Sequence, residues 1–150
     1  MKKIILIILV LAIVGIAYRL ASPLFINKKV IEKIEDIAPQ GNVNQVETTA
    51  AGTFVGLEGH TAQGTAKLIK NGSDYFVRLE DDFRVTNGPD LFVYLGKNGA
   101  YDPKARLGEL KGNIGSQNYA IPSSLNVSDY DEVWVWCWSF SVAFGKAVLK

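Results

Sequence analysis

The pattern of apolar and polar positions along this chain changes twice. Residues 4–17 form an uninterrupted apolar run behind Lys2 and Lys3, and apolar character resumes at Leu20, Ala21, Leu24, Phe25 and Ile26. Across 28–37, Val30, Ile34 and Ile37 recur at the spacing of one helix face, with Glu32, Glu35 and Asp36 pointing away. Pro39, Gly41, Asn42, Asn44 and Gln45 then remove any period. Residues 28–50 therefore read as a juxtamembrane helix followed by a tether. From Ala51 onward the period is two.

That second part predicts strands. Residues 53–55 open the first. Residues 65–70 run into Asn71-Gly72, a strong hairpin signal, with 74–80 as the partner strand and 81–85 continuing or bulging from it. Asn87-Gly88-Pro89 turns the chain into 90–95, and Lys97-Asn98-Gly99 turns it again. Residues 106–110 and 117–121 are weaker strands, and a helical turn starts at Pro122. Residues 131–141 and 143–149 close the chain. The expected fold over 51–150 is all-β: an antiparallel β-sandwich or flattened barrel of about seven to nine short strands, preceded by an N-terminal apolar helix.

The start of the chain bears on localisation. As a helix, 4–17 spans roughly 21 Å, short of a hydrocarbon core of roughly 30 Å and similar to a signal-peptide core. Carried on to Ile26, with Arg19 reaching toward head groups, the segment is long enough to span. Residues 1–27 are thus a signal anchor, or a leader cleaved near Gly15 and Ala17. The net charge is +1, and the first 49 residues carry six basic against four acidic side chains. The positive excess lies beside the apolar segment, where lipid head groups would be. Near-balance elsewhere argues against a nucleic-acid partner. Lys2 and Lys3 nearly balance Arg19, Lys28 and Lys29 in orienting the chain, and the export-like start favours a C-terminal domain outside the cytoplasm. The expected partner is the membrane, through a single pass; cleavage would give a secreted domain.

Cys137 is the only cysteine, and it lies between Trp136 and Trp138 in a stretch holding all three tryptophans. A lone sulfur closes no intramolecular disulfide. Strand alternation puts Val133, Val135 and Cys137 on one face, with Trp134, Trp136 and Trp138 on the other. Both faces being apolar suggests a central, doubly covered strand. Two readings of Cys137 stay open: a small core residue, or a redox thiol near the surface. His60 is the only histidine. It is a backbone-bonded loop residue or a partner to Cys137, and together the two are too few for a closed zinc or blue-copper site. No Cys-x-x-Cys-His is present for covalent haem; a noncovalent haem or a metal has no positive sign in the sequence. Asp90 reads as a turn residue whose carboxylate bonds neighbouring groups. The carboxylate runs at 80–82 and 129–132 read as solvated strand ends, and Asn71-Gly72-Ser73 and Asn126-Val127-Ser128 fit glycosylation triplets.

Residues 135–147, Val-Trp-Cys-Trp-Ser-Phe-Ser-Val-Ala-Phe-Gly-Lys-Ala, resemble the closing motif of the DM-thirteen family, also called electron-transfer DM domains. Phe54, His60 and Gly64 resemble its opening pattern, and Asn87-Gly88-Pro89-Asp90 with 91–95 its Gly-Pro-Asp strand. Residues 107–112 and 115–122 resemble its central and Tyr…Pro segments. The resemblance covers about 51–149. It implies an extracytoplasmic β-rich domain with one characteristic cysteine, here Cys137, and a redox or electron-relay role inferred from the family's frequent fusion to DOMON or cytochrome-type domains. This chain carries no such fusion, so the role would need a redox partner protein or a bound cofactor. Cys137 is then the candidate redox thiol, and His60, Asp90, Trp136 and Trp138 are candidate cofactor contacts. A non-enzymatic binding scaffold with a buried structural cysteine is the alternative.

Overall fold

The computed structural model describes the backbone of residues 2–38 and 46–150, and the side chains of 3–18, 26–38 and 46–150. Helix α1 runs Lys2–Phe25. Ten strands follow: β1 (Val46–Gly56), β2 (Ala62–Gln63), β3 (Thr65–Asn71), β4 (Asp74–Leu79), β5 (Arg84–Val85), β6 (Leu91–Lys97), β7 (Ala100–Glu109), β8 (Gln117–Ile121), β9 (Glu132–Cys137) and β10 (Val142–Val148). Eight form one antiparallel sheet in the order β7-β6-β9-β10-β1-β3-β4-β8, and β2 pairs with β5 separately. The sheet curls until its edge strands approach: the Tyr119 ring of β8 lies against Gly108 of β7. The Tyr119 hydroxyl also accepts from the Lys111 amide just past β7. The domain is an all-β, nearly closed barrel.

Turn chemistry fixes the register. At the β3–β4 hairpin, Asn71 pairs with Asp74, and Gly72 takes the first central position at φ 60°. The turn is thus Gly72-Ser73, one residue on from the expected Asn71-Gly72. Asn71 is instead buried and donates to the Ile37 carbonyl at 2.6 Å. Between β6 and β7, Asn98 and Gly99 both take positive φ, as a two-residue I′ turn requires.

Alternation along β9 sends Val133, Val135 and Cys137 into the barrel with Phe54, Val77, Leu79, Phe83, Val93 and Leu95. Outside, Trp134 packs with Tyr94 and Ala143, flanked by Tyr101 and Trp136. The expected doubly covered central strand is therefore present, between β6 and β10. It stops at Cys137, however, and does not reach 141. Trp138-Ser139-Phe140-Ser141 is a turn, with Ser141 at φ 52°.

Two expectations for the N-terminal portion change. No helix forms over 28–33. Lys29 bridges to Ile114, Val30 donates to Ile114 and Glu32 donates to Ser116, so this arm is extended along the β8 side of the barrel. Its backbone groups are better paired by the 114–116 segment leading into β8 than by a short isolated helix. A single 3-10 turn, Ile34–Ile37, follows, with the Asp36 carboxylate accepting from the Lys33 amide. The expected tether is strand over Val46–Ala50, paired to β3. Residues 39–45 of that tether lie outside the described residues. Among the described residues, no helix is long and apolar enough to cross a membrane.

Antiparallel alternation defines two ends of the barrel. One collects the C-termini of β1, β4, β7 and β9 and the N-termini of β3, β6, β8 and β10. All the candidate residues except Trp136 sit in or beside the turns at this end.

Candidate functional site

Two turns meet over the end of β9. The Asn87-Gly88-Pro89-Asp90 turn leads into β6, and the 138–141 turn joins β9 to β10. Leu91 and Cys137 are register partners on neighbouring strands, which brings the turns together. The Trp138 amide donates to the Asp90 carbonyl at 3.0 Å. The Ser139 hydroxyl donates to the Asp90 carboxylate. Asp90 holds φ 50°, a conformation that a short polar residue tolerates better than most. Its expected role as a turn residue bonding its neighbours matches this geometry.

Cys137 lies beneath these turns, fully buried. Its Sγ donates to the Pro89 carbonyl at 3.0 Å. One layer of surface turn thus covers the sulfur and occupies its proton.

His60 stacks on Phe144, with ring centroids 3.6 Å apart and planes 9° from parallel. The tip of the Phe144 ring meets Gly88: a methyl group there would lie 2.6 Å from the ring's Cζ. Gly88 is therefore required for close approach, and Phe144 links the imidazole to the turn over the sulfur. Among the described residues, no hydrogen bond joins His60 to Cys137. Among the described residues, no group of three or more His, Cys, Asp or Glu side chains converges to hold a metal.

Trp134 and Trp136 occupy the other face of β9, and Trp138 opens the turn after it. Trp136 stacks on Tyr101 at 4.1 Å, and Tyr101 packs edge-on to Tyr94 at 5.1 Å. Trp138 is 54% exposed, and the Arg106 guanidinium lies between it and Phe92, 5.7 and 4.9 Å from the two ring centroids. Neither Trp136 nor Trp138 points into the barrel with the sulfur. Strand alternation puts Trp136 across the backbone from the sulfur, and Trp138 stands exposed on the turn beyond the strand.

Sequence reasoning missed one buried polar centre. Glu132, read as part of a solvated strand end, is 4% exposed. Its carboxylate accepts from Trp134 Nε1 at 3.0 Å, Lys146 Nζ at 2.8 Å and the Gly99 amide at 3.2 Å. Burial pushes the Glu132 carboxyl up, but the Lys146 and Trp134 hydrogen bonds, the Lys146 charge and the Gly99 amide together hold it below the usual carboxylate range. The available signal was the position of Glu132 opposite Val148, which brings Lys146 near it on the same face of adjacent strands. A second network fills the seam between β7 and β8. Gln117, fully buried, bonds the Gly112 amide and carbonyl and accepts from the Tyr119 hydroxyl at 2.8 Å. Burial drives the Tyr119 phenol well above its ordinary value.

A family model described as electron transfer DM13 matches residues 53–149, more than half the chain. Curated proteins and solved structures give no match. Of the stretches that resemble the family pattern, His60, the Gly88-Pro89-Asp90 turn, Cys137 and Phe144 lie at one end of the barrel, while 115–122 runs along β8 toward the other.

Proposed function

We propose that this chain, which belongs to the electron transfer DM13 family, is a membrane-tethered, extracytoplasmic redox accessory module whose working group is Cys137. The observation that carries the reading is the cover over Cys137. The sulfur is held by the Pro89 carbonyl under two surface turns that meet mainly through Asp90, and lifting of those turns is the opening the reading requires. With one sulfur, the two-electron step requires a partner. The Cys137 thiol loses its proton and attacks a partner disulfide. One S–S bond forms to Cys137 as the partner's breaks, and the departing sulfur takes up the proton, leaving a mixed disulfide and a free thiol. Support for the tether comes from exposed apolar side chains on α1, among them Ile5, Ile8, Leu11 and Ile16.

A second reading is favoured by the complete burial of Cys137: a binding scaffold in which the thiol only fills the core. Equilibration of the full chain in a glutathione redox buffer under native conditions separates the two. The redox reading expects mixed disulfide at Cys137 while the domain stays folded. A protein that takes up glutathione only after denaturant unfolds it is a scaffold.

A further inference from the structure

We infer that the barrel end bearing the Cys137 cover rests on the bilayer, with Trp138 and Phe140 inserted at the lipid–water interface. The inference rests on the proposed membrane tether and assigns that tether a geometry.

The exit point of α1 fixes the orientation. The chain leaves the helix after Phe25, and Asn27 is already bonded to the barrel. The Asn27 side-chain oxygen accepts from Asn87 Nδ2 at 3.1 Å and from Asn113 Nδ2 at 2.9 Å. The next amide, Lys28, donates to Asn113 Oδ1 at 2.7 Å, and the arm continues down the β8 side to Asn71 at the opposite end. Asn87 opens the turn over Cys137. Only Ile26 lies between the helix and this fixed point, so the tether cannot swing the barrel to present its other end. A membrane holding α1 must lie beside the end that carries the two turns.

That end is built for an interface. Trp138 and Phe140, 54% and 69% exposed, stand on the 138–141 turn. An indole and a phenyl on a turn tip suit the head-group boundary, where an apolar face sinks about 5–10 Å. Of the carboxylates at this end, Asp90 accepts from Ser139 and Glu58 from the Ala143 amide, while Glu109, opposite Phe92, and Asp81 are exposed with no bond partner among the described residues. The Arg106 guanidinium, stacked on Trp138, is placed to meet lipid phosphate. The opposite end, at the Gly72-Ser73 hairpin, has an exposed tip of small polar residues. Cys137 would then lie one turn from the bilayer surface, so a partner disulfide must be presented there and not from bulk solvent.

The test uses the full chain in phosphatidylcholine vesicles, with an environment-sensitive dye on Phe140→Cys or, at the opposite end, on Ser73→Cys, each in a Cys137→Ala background. The expected result is a blue-shifted emission at 140 that lipid-borne nitroxide quenches, against an aqueous emission at 73 that it leaves unchanged. The unlabelled wild-type chain gives a second readout free of the Cys137 change: brominated lipid should quench part of its tryptophan emission, and Trp138→Phe should lose that part. Chain that floats with the vesicles while both dyes stay aqueous keeps the tether and overturns the docking. Chain that does not float overturns both.

Discussion

The turn over Cys137 makes a quantitative prediction. Lifting the 138–141 turn from the 87–90 turn breaks the Trp138-to-Asp90 backbone bond, the Ser139-to-Asp90 carboxylate bond and the Cys137-to-Pro89 contact. Two neutral bonds at about 1 kcal/mol each and a charged one at about 1.5–3 give roughly 4 kcal/mol. Trp138 and Phe140 are already exposed, so lifting adds little apolar cost. At about 1.4 kcal/mol per tenfold, a thiol reagent should then modify native Cys137 about 10³ times more slowly than a free cysteine. Global unfolding of a domain costs about 5–15 kcal/mol and would slow it more, with a urea slope of about 1–3 kcal/mol per molar. Labelling through the local opening should show almost no urea dependence until the unfolding transition. Ser139→Ala removes only the charged bond, at an exposed position, and should speed labelling about tenfold. Stopped-flow labelling across a urea series measures both. A rate that follows the global unfolding slope from zero urea upward would refute the local opening and make Cys137 a structural residue.

Other substitutions test the remaining geometry. Gly88→Ala pushes a methyl into the Phe144 ring, which also stacks on His60, and overpacking of this kind should cost about 1–3 kcal/mol in urea unfolding. Cys137→Ser should cost no more than about 1 kcal/mol, because the hydroxyl can still donate to Pro89. Glu132→Ala strands the Trp134 N–H and the Lys146 ammonium. Lys146 retains some contact with water, so the loss should fall near the low end of the roughly 3–5 kcal/mol typical of a broken buried pair. The depressed Glu132 carboxyl also stabilises the fold above its unfolded value, and that contribution is lost as pH falls through the folded one. Glu132→Gln should therefore flatten the acid limb of a stability–pH curve. At the other extreme, the raised Tyr119 phenol stabilises the fold fully below its ordinary value near 10 and progressively less at higher pH, so Tyr119→Phe should weaken the alkaline loss.

Local signals in the chain determined much of this protein. Period-two patterning from Ala51 and the Asn98-Gly99 turn were enough to predict an antiparallel all-β domain, because side-chain alternation and positive φ are properties of neighbouring residues. The same alternation placed Val133, Val135 and Cys137 opposite Trp134 and Trp136, as the structure has them. What depended on distant partners was not legible. The helix expected over 28–37 gave way to an extended arm over 28–33 because the 114–116 segment leading into β8 offered its backbone better partners. The ribbon ended at Cys137 because Asp90, 47 positions earlier, captures the next amide and hydroxyl. Glu132 became a buried ion partner because Lys146 faces it from the next strand. The burial of the sulfur was likewise decided only by closure: a one-dimensional pattern says which face a side chain takes, and only the folded barrel says what covers it.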